Sequence, residues 1–178
     1  MATFSREEIQ AGLKRLGELA QARNLQIDLA LVGGAVMVLG YQARLSTRDV
    51  DAVIIAPKEA RLVRMLAKQV AEEFDWPEDW LNDGAKGYLV GISDSPILFR
   101  SPGIVARAPS LEQLLAMKLS AWRDDLDISD ARRLLQEVKG IRNKDEIWQS
   151  LEPYLVPSDE LTAQYAYLDL WELLYGSD

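Results

Sequence analysis

The 178-residue chain has no cysteine and no histidine. Disulfides, thiolate nucleophiles, imidazole bases and zinc sites built on either ligand are excluded, because the donor atoms are absent. Any catalysis must run on carboxylates, lysine, hydroxyls and bound metal. Long apolar runs are missing too. The longest stretch without a charge is 29–43, fifteen residues that include two adjacent glycines, against roughly 20 apolar residues for a membrane-spanning helix. Residues 1–8 carry Arg6, Glu7 and Glu8 and lead into an amphipathic pattern, not the apolar segment of an export signal, so a cytoplasmic location with no membrane association is expected. Nor is there an excess of positive charge. With 20 basic and 28 acidic residues the net charge is −8, which argues against strong non-specific binding to nucleic acid, since that binding is largely phosphate neutralisation by lysine and arginine. Local basic patches stay open.

What is present is an ordinary globular composition, 48% hydrophobic, in a length that suits one domain or a domain with a helical appendage. Ser5-Arg6-Glu7-Glu8 has capping-box spacing and is followed by Ile9, Leu13, Leu16 and Ala20, which predicts a helix over 5–23. Ile27 to Val32 reads as a buried strand ended by Gly33-Gly34, and Ala35 to Leu39 as a short buried helix closed by Gly40. A β-branched run over 50–55 is a second strand. Pro57 then opens a helix carrying Leu62, Val63, Leu66, Ala67 and Val70. Residues 74–91 read as an ordered loop anchored by Trp76 and Trp80, and 96–99 and 104–106 as short strands. Ser110 to Gln113 is another capping box ahead of an apolar helix. Further helices are expected from near Asp127 to Val138, stopping at Gly140, around Ile147-Trp148-Leu151, and after Pro157-Ser158. The class is α/β (α+β): a small mixed β-sheet with flanking helices over 1–109, followed by a helical part over 110–178 packed on that core.

The chemistry concentrates in Leu31-Val-Gly-Gly-Ala-Val and in Arg44-Leu-Ser-Thr-Arg-Asp-Val-Asp51. Gly33 and Gly34 follow a strand and open a helix, so their backbone N–H groups can approach an anion such as phosphate where a Cβ would block it. Asp49 and Asp51 alternate about Val50, which puts both carboxylates on one face of a strand, where they can share a magnesium ion. Each element has a plainer reading. Gly-Gly after a strand also serves as turn chemistry, and Asp-x-Asp at a strand edge as a solvated rim. Lys118 stands alone in an apolar helix, where it either snorkels to solvent or needs an anionic partner, a phosphate or a carboxylate. Trp76, Trp80, Tyr88 and Trp122 are read as core packing ahead of base stacking. Arg44, Arg48 and Arg100 are candidates for contact with phosphate or an RNA acceptor.

This block resembles the polymerase β-type nucleotidyltransferase superfamily, and within it the small bacterial branch of AbiEii-like and MenT-like toxin nucleotidyltransferases. The likeness rests on Gly33-Gly34-Ala35, on Arg44, Thr47, Asp49 and Asp51, and on Ser110 to Lys118 followed by Asp127-Ile-Ser-Asp130, over roughly residues 29–135. The resemblance implies a nucleotidyltransferase-like fold that transfers a nucleoside monophosphate from an NTP to an acceptor hydroxyl on tRNA, protein or a small molecule, with Mg²⁺ as cofactor. It implies that Asp49 and Asp51 hold the metal, that Gly33, Gly34, Ser46, Thr47, Arg48 and Asp130 bind the nucleotide, and that Lys118 and Asp127 join the catalytic set. Asp125 is the fallback for Asp127, which also suits a helix cap. A toxin–antitoxin context, with a toxin or antitoxin partner, is implied as well. The sequence departs from the polymerase-like pattern in one respect: the strand candidates over 96–99 and 104–106 contain no third carboxylate, and Asp94 lies just outside. That departure motivates a second reading, a catalytically inactive relative acting as a binding partner or antitoxin. A third, suggested by the acidic charge, is an adenylyltransferase for a small cationic acceptor.

Overall fold

The computed structural model describes residues 3–83, 90–91, 96–122, 125–138 and 142–176. Tyr88, Asp94 and Gly140, singled out above, lie outside the described residues. The protein is a mixed α/β structure, with seven α-helices, a five-stranded mixed sheet and a two-stranded sheet among the described residues. It divides into two compact units, one comprising 1–86 and 95–109, the other 87–94 and 110–178.

In the first unit, β1 (Phe4–Ser5) leads into α1 (Arg6–Gln21) through the expected capping box: Ser5 accepts from the Glu8 N–H and the Glu8 carboxylate accepts from the Ser5 N–H. Two orphan donors are satisfied at once, which fixes the helix start. β2 (Ile27–Leu31) is followed by α2 (Gly33–Leu39), which already includes both glycines, and after β3 (Ser46–Thr47) comes β4 (Val50–Ala56). α3 (Ala60–Phe74) starts three residues after Pro57; the proline terminates β4 instead of opening the helix, with Glu59 as N-cap. β5 (Leu81–Asn82), β6 (Ile97–Ser101) and β7 (Ile104–Arg107) complete the unit.

The main sheet has the order β5-β4-β2-β7-β6. β2 lies antiparallel to β4 and parallel to β7, β4 runs parallel to β5, and β6 returns antiparallel to β7. As the central strand, β2 is buried on both faces: Leu29, Ala30 and Leu31 have no exposure. Phe4, Trp76 and Trp80 form a ring cluster with centroids 4.9 and 5.3 Å apart along the series, and the Trp80 indole N–H donates to the Ala67 carbonyl at 2.9 Å. Both tryptophans therefore serve the core rather than a base-stacking surface. The 74–91 segment also contains β5, a strand the sequence pattern did not mark.

The second unit is helical. α4 (Leu111–Ala121) has apolar residues buried around its circumference, Leu114, Leu115, Ala116, Met117 and Leu119 among them, and packs against α5 (Asp125–Glu137), α6 (Lys144–Leu151) and α7 (Glu160–Tyr175). A helix apolar all round has to sit inside its bundle. Ser110 caps α4 by accepting from the Gln113 N–H, while the Gln113 side chain donates to the Val90 and Gly91 carbonyls. α6 has a capping box of its own from Asn143 and Glu146, and the Tyr167 hydroxyl of α7 donates to the Lys144 carbonyl at 2.8 Å. No helix among the described residues is long and apolar enough to cross a membrane.

Candidate functional site

The glycine turn and the Asp-x-Asp strand meet within the first unit. Gly33 has φ +62°, a left-handed conformation that glycine adopts without the strain a Cβ would bring. A Cβ built there would stand 2.8 Å from Asp51 Oδ2, so the carboxylate lies directly against the turn. At Gly34 a Cβ would run into Thr47 Oγ1 and would stand 3.5 Å from an Arg44 guanidinium nitrogen. The Val32 N–H donates to the Asp51 carbonyl at 2.9 Å, which locks the end of β2 to the start of β4 at the place where α2 begins. No side chain caps the first turn of α2.

Asp49 precedes β4 and Asp51 is its second residue, with Val50 fully buried between them. Both acids are half-buried, as expected when Val50 claims the core face of the pleat. The Asn82 amide of β5 donates to Asp49 Oδ2 at 3.2 Å, and the parallel register sets Asn82 beside Asp51. Thr47 is buried, Ser46 is half-buried, and Arg48 is exposed. β3, which carries Ser46 and Thr47, pairs with β1 in the register Phe4 with Thr47 and Ser5 with Ser46, so the chain's N-terminal end helps to hold the motif.

A cavity of about 190 Å³ lies elsewhere, against α3, lined by Ala52, Ile54, Val63, Ala67 and Leu81 with Arg64 and acidic residues at its rim. Ala52 and Ile54 alternate with Asp51 and Val53 and so lie on the other face of β4 from the acid pair, but Asn82, which donates to Asp49, also lines the cavity.

The second unit holds the remaining expected residues. The Lys118 ammonium lies 2.9 Å from Asp127 Oδ1 and 2.8 Å from Asp130 Oδ2, with side-chain exposures of 13%, 5% and 2%. Lys118 therefore does not snorkel; two carboxylates one helical turn apart on α5 receive it. Because α5 begins at Asp125, Asp127 sits in its first turn and is not the N-cap. Asp125, the fallback, is exposed, whereas Asp127 is buried. Trp122 follows α4 with φ +28° and is half-buried.

The chain matches no protein-family model, no curated protein and no solved structure.

Two features went unseen in the sequence. Asn82 sits in an irregular aromatic segment, and only its pairing with β4 brings it to Asp49. Arg107, at the end of β7, makes a bidentate ion pair with Asp28 of β2 at 3.0 Å, so this charge on the later strands is a cation matched to an acid. Among the described residues no group of three or more acidic residues is placed to hold a metal ion.

Proposed function

We propose that this chain is a magnesium-dependent nucleotidyltransferase of the toxin–antitoxin type, moving a nucleoside monophosphate from an NTP to an acceptor hydroxyl on tRNA, protein or a small molecule. The observation that carries this reading is the packing of Gly33 and Gly34 against Asp51 and Thr47, which puts bare backbone and carboxylate side by side. Asp49 and Asp51 fit Mg²⁺ as a donor set: two hard oxygen ligands, half-buried, on one face, in a number typical of sites where substrate phosphates and water complete the octahedron. When bound there, the ion would neutralise charge on the triphosphate.

The chain's own residues then have these tasks. Gly33 and Gly34 bind triphosphate oxygens through main-chain N–H groups, Ser46 and Thr47 offer hydroxyls, and Arg48 adds an exposed positive charge. Asn82 orients the Asp49 carboxylate. Lys118, Asp127 and Asp130, which form a buried ion cluster within the second unit, keep the roles that the resemblance implies for them. The acceptor hydroxyl oxygen bonds to the α-phosphorus as the bond from that phosphorus to the α–β bridging oxygen breaks; pyrophosphate leaves with the bridging oxygen, and the hydroxyl proton is released to water. Such a reaction asks for positioning and charge neutralisation, which a chain without histidine can supply. The acidic net charge favours a small cationic acceptor over bulk nucleic acid.

One observation favours a second reading, an inactive relative acting as a binding partner or antitoxin: neither β6 nor β7 carries a carboxylate. Incubation with labelled NTPs and Mg²⁺, in parallel with total tRNA, a protein extract and candidate cationic small molecules, separates the two. Transfer of label supports the enzyme and names the acceptor class. Absence of label together with absence of NTP and Mg²⁺ binding by calorimetry favours the inactive partner.

A further inference from the structure

α7 carries a seam that its own unit leaves in solvent. Ala163, Ala166, Tyr167 and Leu170 are buried, whereas Leu161, Tyr165, Leu168 and Tyr175 are 64%, 63%, 39% and 55% exposed. With Glu172 these positions, 161, 165, 168, 172 and 175, are spaced four, three, four and three apart, the repeat of a coiled-coil seam. At 3.6 residues per turn they fall within an arc of about 80°. Singly exposed apolar residues are ordinary, but a line of them along a 16-residue helix marks an interaction surface. The C-terminal end of the seam is also held ready. The Tyr175 ring lies 4.5 Å from Trp171, which lies 6.0 Å from Tyr167, itself bonded to the Lys144 carbonyl. Rings fixed in this way lose little conformational freedom on docking.

Charge decides the occupant. α7 contains Glu160, Asp169 and Glu172 and no lysine or arginine. A second copy of the helix would bring acid to acid and offer no cation from α7, and an anionic bilayer is repelled for the same reason. We propose that this face of α7 docks an amphipathic helix of another protein, one that presents apolar knobs to Leu161, Tyr165, Leu168 and Tyr175 and lysine or arginine to the exposed Glu160 and Asp169 on either side of them.

The test uses the full chain and three labelled synthetic peptides of three heptads each. One has leucine at the seam positions and lysine flanking them, one has the same leucines flanked by glutamate, and one has the lysine composition with its apolar spacing scrambled. By fluorescence anisotropy the first peptide is expected to bind, with the other two weaker by about tenfold or more. Leu168→Lys and Tyr165→Lys are expected to weaken it by a similar factor while the circular dichroism spectrum and melting temperature stay put, and Asp169→Lys to shift preference toward the glutamate peptide. Equal binding of the scrambled peptide, no binding of the first, or indifference to the Leu168 and Tyr165 variants would overturn the proposal. So would sedimentation of the chain as a dimer that Leu168→Lys dissociates, because a second copy would then be the occupant.

Discussion

Thr47 Oγ1 fills the space in which a side chain on Gly34 would have to sit. The contact ties a two-residue strand to the first turn of α2, and it makes the glycine a packing requirement as well as a proposed phosphate contact. Gly34→Ala is expected to cost about 1–3 kcal/mol by overpacking, because Thr47 is buried and has to move. The double variant with Thr47→Ala should recover part of that loss, giving a non-zero coupling energy in a denaturation cycle. Gly33→Ala is a different case. It places a side chain at φ +62°, at about 1–2 kcal/mol, and pushes Asp51 aside. No rescue by Thr47→Ala is expected there, and additive denaturation energies at 34 and 47 would show that the contact does not matter.

Asp49→Asn and Asp51→Asn are expected to abolish label transfer with melting temperatures nearly unchanged, since carboxylates gathered at a site tend to cost stability. Because only two protein carboxylates are offered, Mg²⁺ binding by calorimetry should be weak alone and strengthen when NTP is present, and both variants should lose that enhancement. Asn82→Ala should lower the transfer rate without removing it, because Asn82 acts on Asp49 through one amide hydrogen bond. Wild-type transfer in both aspartate variants would end the assignment of the acid pair.

The parts of this arrangement that were legible in the sequence are those written into short spans. The capping box at Ser5 and Glu8 is closed within three residues, and the apolar runs of β2 and β4 declare themselves by composition. The fold class followed from the alternation of those runs. β1, β3 and β5 are two residues each and exist only because a distant partner is in register, so no local pattern could mark them. Pro57 suits a helix opener in sequence, but it ends β4, and α3 starts only at Ala60. Lys118 was legible as a chemical demand, a lysine on an apolar helix needing an anion, but not as an answer: the identity of its partners depends on how α5 packs against α4. Asn82 had no signal at all beyond being polar in an aromatic loop.

The Lys118 cluster predicts its own mutational signature. Two buried carboxylates share one ammonium, so Lys118→Met leaves both facing each other in a low dielectric, and breaking a buried pair in this way typically costs about 3–5 kcal/mol. Adding Asp127→Asn and Asp130→Asn to Lys118→Met removes the two buried negative charges and should return part of the stability. Label transfer separates structure from chemistry here. The triple variant should fold and yet transfer nothing if the cluster takes part in the reaction, whereas transfer at the wild-type rate would make the cluster purely structural.

A pH dependence follows from the link between α1 and α3. Arg15 holds Glu73 through two hydrogen bonds, 2.6 and 3.2 Å, and Gln69 donates a third at 3.0 Å. The Arg15 bonds first, then the Gln69 bond, hold the Glu73 carboxyl below its ordinary value, with a small opposing effect from burial, and Glu73 in turn raises Arg15. A carboxyl lowered on folding adds stability above its unfolded value, about 4.3, and that contribution fades as pH falls through the lower folded value. Glu8, lowered by its bonds to Ser5, has the same sign. Glu73→Gln should therefore melt below wild type at neutral pH and low salt, and the gap should close on acidification below the usual glutamate range. Both side chains are about one-third exposed, so added salt should narrow the gap at neutral pH as well. A gap that stayed constant from neutral to strongly acid pH would mean that the substitution acts through packing and that the ion pair contributes nothing measurable.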